Sequence, residues 1–248
     1  SGTLNLIGQG IGSINSKGLS VGDTSVYDRY VQRDKTVTGV VNILEGASLN
    51  VGAASGTSSQ ASDNVLWAGS GNSANTGTIN ISGTNSQLSV INKALEGSGY
   101  YDDSMVNGDA YLGYLGDANI NISDGGSMIA GRIIASFVRK DDVPSSFPKL
   151  SSVNIYVTGS DSKLGIQSSL SLASGASGEI YDIDFNDQIK GAGSATLTVE
   201  NGAEVYFEGK AYIGADGYEV PESGLFLASD VGSSATVNLN TGGTISIS

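Results

Sequence analysis

The chain has 248 residues, of which 36 are glycine and 3 are proline, and it contains neither cysteine nor histidine. These absences exclude Ser-His-Asp and Cys-His nucleophilic sites and zinc sites with His or Cys ligands. The formal net charge of −13 argues against nucleic acid, an anionic membrane or an acidic polysaccharide as partner.

A polar residue between two apolar residues recurs along the chain and predicts the first strand of a repeated unit. Side chains alternate across a strand, so the apolar pair should point inward and the central residue outward. The repeats are about 33 to 44 residues apart, a period typical of solenoids and propellers. The seven triplets are Leu4-Asn5-Leu6, Val41-Asn42-Ile43, Ile79-Asn80-Ile81, Ile120-Asn121-Ile122, Val153-Asn154-Ile155, Leu197-Thr198-Val199 and Val237-Asn238-Leu239.

Two further short strands are predicted in each unit. In four units a second apolar alternation begins eight positions after the first, as at Val41 and Leu49, beyond a glycine-containing turn such as EGAS or SDGGS. A third apolar segment follows in most units: GLSVGD (18–23), VLWAGSG (65–71), AYLGYLGD (110–117), RIIASF (132–137), LSLASGASG (170–178) and GLFLASD (224–230). Three short strands per unit indicate one triangular rung of a parallel β-helix, whereas a propeller blade needs four longer antiparallel strands.

Insertions at two corners account for the irregular period. They are expected at 52–64, 91–109 and 208–223 after the second strand, and at 24–38, 138–151 and 179–193 after the third. The fold class is therefore all-β: a three-sided parallel β-helix of about seven rungs with inserted loops, forming one domain over 1–248. Neither end carries a polar cap, so the chain is expected to be a fragment of a longer solenoid.

Units such as GSATLTVENGAEVYF and GLFLASDVGSSATVNLNTGGTISIS resemble the passenger repeats of bacterial type V autotransporters, above all those of the AIDA-type and antigen 43 adhesins. The resemblance covers essentially the whole chain. It implies a right-handed β-helix that is exported through the outer membrane to the bacterial cell surface. It also implies a C-terminal outer-membrane barrel in the parent chain and a role in aggregation, biofilm formation or host adhesion.

Catalysis and metal binding are not expected. The loop YDIDFNDQIK (181–190) places Asp182, Asp184 and Asp187 at spacings close to those of a calcium loop. Asp187, however, stands where the sharp turn needs glycine, and no glutamate follows at the twelfth position. The pairs Asp102-Asp103 and Asp141-Asp142 are adjacent residues in loops, which fixes poorly the separation that two glycosidase carboxylates require. The sequence therefore predicts no enzyme, cofactor or metal, and no apolar run approaches the ~20 residues that a membrane-spanning helix needs.

The outward residues of the first strands should form a column, because rungs stack about 4.8 Å apart. The predicted members are Asn5, Asn42, Asn80, Asn121, Asn154, Thr198 and Asn238. Stacked amides hydrogen-bond along such a column, so support of the strands is the favoured interpretation. A flat polar strip that pairs with the same strip of a second copy is the functional alternative.

Loop residues form a second candidate surface, since exposed tyrosine and arginine are common contact anchors. They are Tyr27, Arg29, Tyr30, Tyr100, Tyr101, Asp102, Asp103 and Tyr218. The alternative is that these tyrosines fix the loops on the solenoid. Three functions follow: a self-associating surface adhesin, an adhesin for a host protein or glycan that uses the loops, and, less favoured, a polysaccharide-active β-helix enzyme.

Overall fold

A computed structural model of the protein describes residues 1–8, 13–16, 18–23, 36–51, 65–71, 74–90, 108–139, 151–173, 189–191, 193–209, 212–213, 219–220, 224–228 and 232–247. These residues form strands and tight turns. None of them belongs to a helix long and apolar enough to cross a membrane.

The strands follow the chain in rungs, each rung being one turn of the β-helix. The first four rungs contain β1 (Gly2–Ile7), β2 (Ser13–Ser16), β3 (Leu19–Asp23), β4 (Thr38–Leu44), β5 (Ser48–Val51), β6 (Val65–Ser70), β7 (Thr76–Ser82), β8 (Gln87–Val90), β9 (Asp109–Tyr114), β10 (Asp117–Ser123), β11 (Ser127–Ala130) and β12 (Arg132–Arg139). The later rungs contain β13 (Ser152–Thr158), β14 (Lys163–Ile166), β15 (Ser169–Leu172), β16 (Ile189–Gly191), β17 (Ser194–Glu200), β18 (Glu204–Phe207), β19 (Tyr212–Ile213), β20 (Glu219–Val220), β21 (Gly224–Leu227), β22 (Ser234–Leu239) and β23 (Thr244–Ile247).

Three parallel sheets form the three sides of the solenoid. The first has the order β1-β4-β7-β10-β13-β17-β22, the second β2-β5-β8-β11-β14-β18-β23, and the third β21-β15-β12-β9-β6-β3. Within the described residues, six rungs contribute a strand to every sheet and the seventh contributes to two. The predicted all-β, three-sided parallel β-helix is confirmed, and each of the seven triplets lies in a strand of the first sheet.

The core is a set of inward columns that run through the stacked rungs. In the first sheet, Val41, Ile79, Ile120, Ile155 and Leu197 are in register and buried. The second sheet contributes Leu49, Leu88, Met128, Leu164 and Val205, and the third contributes Leu66, Ala110, Ile133 and Leu170. The burial pattern of β7 and β10 alternates strictly between half-buried and buried, as the two-residue period of a strand requires.

The first and third sheets approach closely in the N-terminal rungs, where glycine is a steric requirement. A Cβ on Gly77 would lie 2.4 Å from the Val21 carbonyl oxygen and 2.5 Å from the Gly69 backbone nitrogen. Gly69 itself has a φ of +65°, and a Cβ there would lie 1.9 Å from the Asp117 carbonyl oxygen. The corner between these sheets therefore excludes side chains at both positions.

The segments expected as insertions contain or are reached by β12, β16, β19 and β20. β12 extends to Arg139, and its end pairs antiparallel with β16, with Phe137 opposite Gly191. β19 and β20 pair antiparallel within the insertion expected at 208–223. Every residue of β12 from Arg132 to Val138 is buried, so the end of this strand is covered on both of its faces.

Candidate functional site

Four asparagines on the outer side of the first sheet form a hydrogen-bonded ladder. Asn5, Asn42, Asn80 and Asn121 are in register on β1, β4, β7 and β10. The Nδ2 of each later residue donates to the Oδ1 of the preceding one, at 2.6 Å for Asn42, 2.7 Å for Asn80 and 2.8 Å for Asn121. The column is confirmed for these four residues, and their amides support the strand stacking.

The ladder uses only half of the hydrogen-bonding capacity of each central amide. An asparagine side chain has two N–H donors and an oxygen with two lone pairs. Asn42 and Asn80 each use one N–H donor and one oxygen lone pair for hydrogen bonds within the ladder. Because both side chains are half-exposed, a donor and an acceptor per rung remain available for a partner.

Asn154 does not belong to this column, so its predicted place is wrong. Asn121 is in register with Tyr156, whereas Asn154 is in register with Asn119 and donates to its Oδ1 at 3.2 Å. A shift of two residues leaves the inward and outward sides unchanged, so the triplet pattern cannot distinguish the two registers. The spacing to the second strand distinguishes them. Ile155 precedes Leu164 by nine positions, close to the interval of eight in other units, whereas Val153 precedes Leu164 by eleven.

The same column continues through Thr198 and Asn238, as the sequence predicted. The Asn238 Nδ2 donates to the Thr198 Oγ1 at 3.2 Å. Tyr156 interrupts the run of short polar side chains between Asn121 and Thr198. Its hydroxyl reaches sideways and donates to the Glu200 Oε1 on the neighbouring strand.

Glu200 is the centre of a polar cluster that consists of Tyr156, Thr158, Glu200, Asn201 and Asn240, called the Tyr156 cluster below. The Asn201 Nδ2 lies 3.2 Å from the Glu200 Oε1 and 3.0 Å from the Thr158 Oγ1. The Asn240 Nδ2 donates to the Glu200 Oε2 at 2.8 Å. The hydrogen bonds from Tyr156 and Asn240 lower the pKa of the Glu200 carboxyl, and the bond to Glu200 raises the pKa of the Tyr156 hydroxyl.

This pKa shift predicts a pH dependence of stability. A carboxyl whose pKa is lower in the folded state contributes stability above its unfolded pKa and loses it as the pH falls through the folded value. Wild-type protein should therefore resist urea better than Glu200→Gln at pH 7, and the difference should disappear as the pH falls below the ordinary glutamate value near 4.5. The midpoints of urea unfolding of both proteins, followed by circular dichroism at pH 7, 5, 4 and 3, measure this difference in stability. A difference that stays constant across this series would contradict the assignment.

The outward side chains of β1, β4, β7 and β10 form a surface that we call the ladder face. Besides the four asparagines it presents Thr3, Ile7, Thr38, Val40, Leu44, Thr76, Thr78, Ser82, Asp117, Asn119 and Ser123. Asp117, at the start of β10, is the one ionisable side chain among them. The ladder face is therefore nearly uncharged, although the chain as a whole carries −13.

The outer side of the third sheet is occupied by an aromatic cluster that the sequence analysis missed. Trp67 stacks on Tyr111 with ring centroids 4.5 Å apart, and Tyr114 and Phe137 pack beside them. Tyr111 and Phe137 are buried, so this cluster packs against the sheet.

A buried ion pair adjoins the aromatic cluster. The Arg132 Nη2 lies 2.6 Å from the Asp109 Oδ2, and the Tyr111 hydroxyl donates to the same oxygen at 3.1 Å. Both charged residues are buried. Aligning Ala110 with Ile133 brings Asp109 and Arg132 together, and this alignment is the signal that would have found the pair.

The remaining sequence candidates lie outside the described residues. They are Tyr27, Arg29, Tyr30, Tyr100, Tyr101, Asp102, Asp103, Asp141, Asp142, Asp182, Asp184, Asp187 and Tyr218. Over the part of the chain that the structure describes, no group of three or more acidic, histidine or cysteine side chains is arranged to hold a metal ion. No protein-family model, curated protein or solved structure matches the chain.

Proposed function

We propose that this chain is part of the passenger of a bacterial type V autotransporter, of the AIDA and antigen 43 adhesin group, and that it mediates self-association at the bacterial cell surface. The parallel β-helix and the seven repeated first strands support the proposal. The observation that carries it is the ladder face, where amides repeat in register on one sheet and retain hydrogen-bonding groups. In the parent chain a C-terminal outer-membrane barrel would anchor this segment.

Charge favours the ladder face as the contact between copies. Two chains of net charge −13 repel one another, and salt screens this repulsion only beyond about 8 Å at physiological ionic strength. A nearly uncharged surface allows close approach and buries few like charges. A two-fold axis would place the same surface on both partners, and many weak amide contacts would then add along the ladder, from rung to rung.

The proposal predicts that positive charge on the ladder face abolishes self-association. In the variant Asn80→Lys/Asn121→Lys, lysines of both copies would meet across a two-fold contact and repel. Sedimentation velocity over a concentration series should show reversible association of the wild type and at least tenfold weaker association of the variant.

The matched control places the same charges in the same rungs but on another face. Gln87 and Ser127 are in register on β8 and β11, and both point outward from the second sheet. Gln87→Lys/Ser127→Lys should therefore associate like the wild type. If the Asn80→Lys/Asn121→Lys variant keeps its circular dichroism spectrum and associates as tightly as the wild type, the ladder face is not the contact.

Two alternative functions are not supported by any observation on the residues that the structure describes. Adhesion to a host receptor or matrix through the tyrosine loops concerns residues outside the described part. A polysaccharide-active enzyme needs an acid and base cluster across adjacent rungs, and the aspartates considered for it also lie outside that part.

A further inference from the structure

The Tyr156 cluster lies on the same sheet as the ladder face but on other strands. Tyr156 and Thr158 belong to β13, Glu200 ends β17, and Asn240 directly follows β22. The cluster thus spans three rungs, about 10 Å along the solenoid. Asn201 and Asn240 are exposed, and Tyr156, Thr158 and Glu200 are half-exposed, so the cluster is open to solvent.

The Glu200 carboxylate is held in a fixed orientation by its neighbours. Its Oε1 accepts from Tyr156 and Asn201, and its Oε2 accepts from Asn240. A carboxylate offers about four lone-pair sites. One site therefore remains, on Oε2, directly beside the second N–H of the Asn240 amide.

This arrangement fits a saccharide, and we propose that the Tyr156 cluster binds a neutral, hydroxyl-rich glycan. A sugar hydroxyl both donates and accepts, so it can donate to the Glu200 Oε2 while a neighbouring hydroxyl accepts from Asn240. The Tyr156 ring, held through its hydroxyl, supplies an apolar surface for the C–H groups of the sugar. Tyr156 and Glu200 stand on the paired strands β13 and β17, and Asn240 directly follows β22, so little conformational entropy is lost on binding.

The charge of the site selects against other ligands. The ionised Glu200 and the net charge of −13 repel sialylated or sulfated glycans. A guanidinium binds a carboxylate best through both oxygens at once. Here that would displace Tyr156 or Asn201 from Oε1 and crowd Asn240 on Oε2, whereas a single hydroxyl needs only the remaining site.

Saturation-transfer NMR of the whole chain tests this inference. The probes are maltotetraose, cellotetraose, chitotetraose and mannotriose, each at 5 mM, because an open site of this size should bind on the order of millimolar. At least one probe should receive saturation from the wild type. Tyr156→Ala and Glu200→Gln should each reduce the transfer at least fivefold.

The control is Glu204→Gln, which changes a carboxylate in the same rung on another face. Glu204 lies on β18, where its Oε2 is 3.2 Å from the Lys163 Nζ, and this variant should keep the transfer. If Tyr156→Ala does not fold, the saturation transfer of Glu200→Gln compared with that of Glu204→Gln is sufficient to test the inference. No transfer from the wild type to any probe, or equal transfer from the two glutamine variants, would each overturn the inference. The test does not depend on self-association, because saturation transfer reports contact between the chain and the sugar, and none of the variants changes the ladder face.

Discussion

Replacing Gly77 by alanine is expected to destabilise the protein by about 3 kcal/mol, at the upper end of the usual cost of overpacking. The added Cβ would lie 2.4 Å from the Val21 carbonyl oxygen and 2.5 Å from the Gly69 nitrogen. Both neighbours are backbone atoms of the third sheet, and Val21 and Ala68 are paired in that sheet. The clash therefore cannot be relieved by a side-chain rotation and must separate the first and third sheets.

Gly2→Ala is the matched control, since Gly2, Gly39 and Gly77 share one column of the first sheet. A Cβ on Gly2 would meet nothing within 4 Å, so this change should cost less than about 0.5 kcal/mol. Urea unfolding followed by the fluorescence of Trp67, the single tryptophan, reports on the strand that carries Gly69. Equal midpoints for the two alanine variants would contradict the close approach of the sheets.

Breaking the buried ion pair is expected to have a comparable or larger effect. Arg132→Met removes the guanidinium that lies 2.6 Å from the Asp109 carboxylate and leaves this carboxylate buried beside the aromatic cluster. An uncompensated buried charge typically costs about 3 to 5 kcal/mol. Urea unfolding monitored by Trp67, which stacks on Tyr111, measures the loss.

Removing both charges should restore most of this stability. In Arg132→Met/Asp109→Leu no carboxylate is left without its partner, and an apolar pair of similar volume is often neutral or stabilising. The double variant should therefore be more stable than Arg132→Met alone. A double variant that is no more stable than Arg132→Met would show that the loss comes from packing around Arg132.

The fold was predictable because a β-helix repeats the same sequence pattern in successive rungs. Each triplet such as Ile79-Asn80-Ile81 specifies an inward pair and an outward residue, and the interval to the second strand specifies the turn. Seven repetitions compensate for the weakness of each signal. The amide ladder followed from the same logic, since residues at equal places in successive units must stack.

The register of the fifth rung and the contacts between distant side chains were not predictable in the same way. The pattern around Asn154 fits two registers equally well, and only the distance to Leu164 separates them. Tyr156 and Glu200 are 44 residues apart, and Asp109 and Arg132 are 23 apart. No pattern within one unit links such residues; only the alignment of successive units brings them together, and this alignment depends on how far each insertion extends.

If one copy of this chain recognises another through the ladder face, beads that carry the protein should co-aggregate. Wild-type protein is coupled to green beads, and wild type, Asn80→Lys/Asn121→Lys or Gln87→Lys/Ser127→Lys is coupled to red beads. Two-coloured clusters are expected when the red beads carry the wild type or the second-sheet variant. Red beads with the ladder-face variant should stay single. Absence of clusters between two wild-type populations, or clusters of equal size with the ladder-face variant, would contradict recognition through the ladder face.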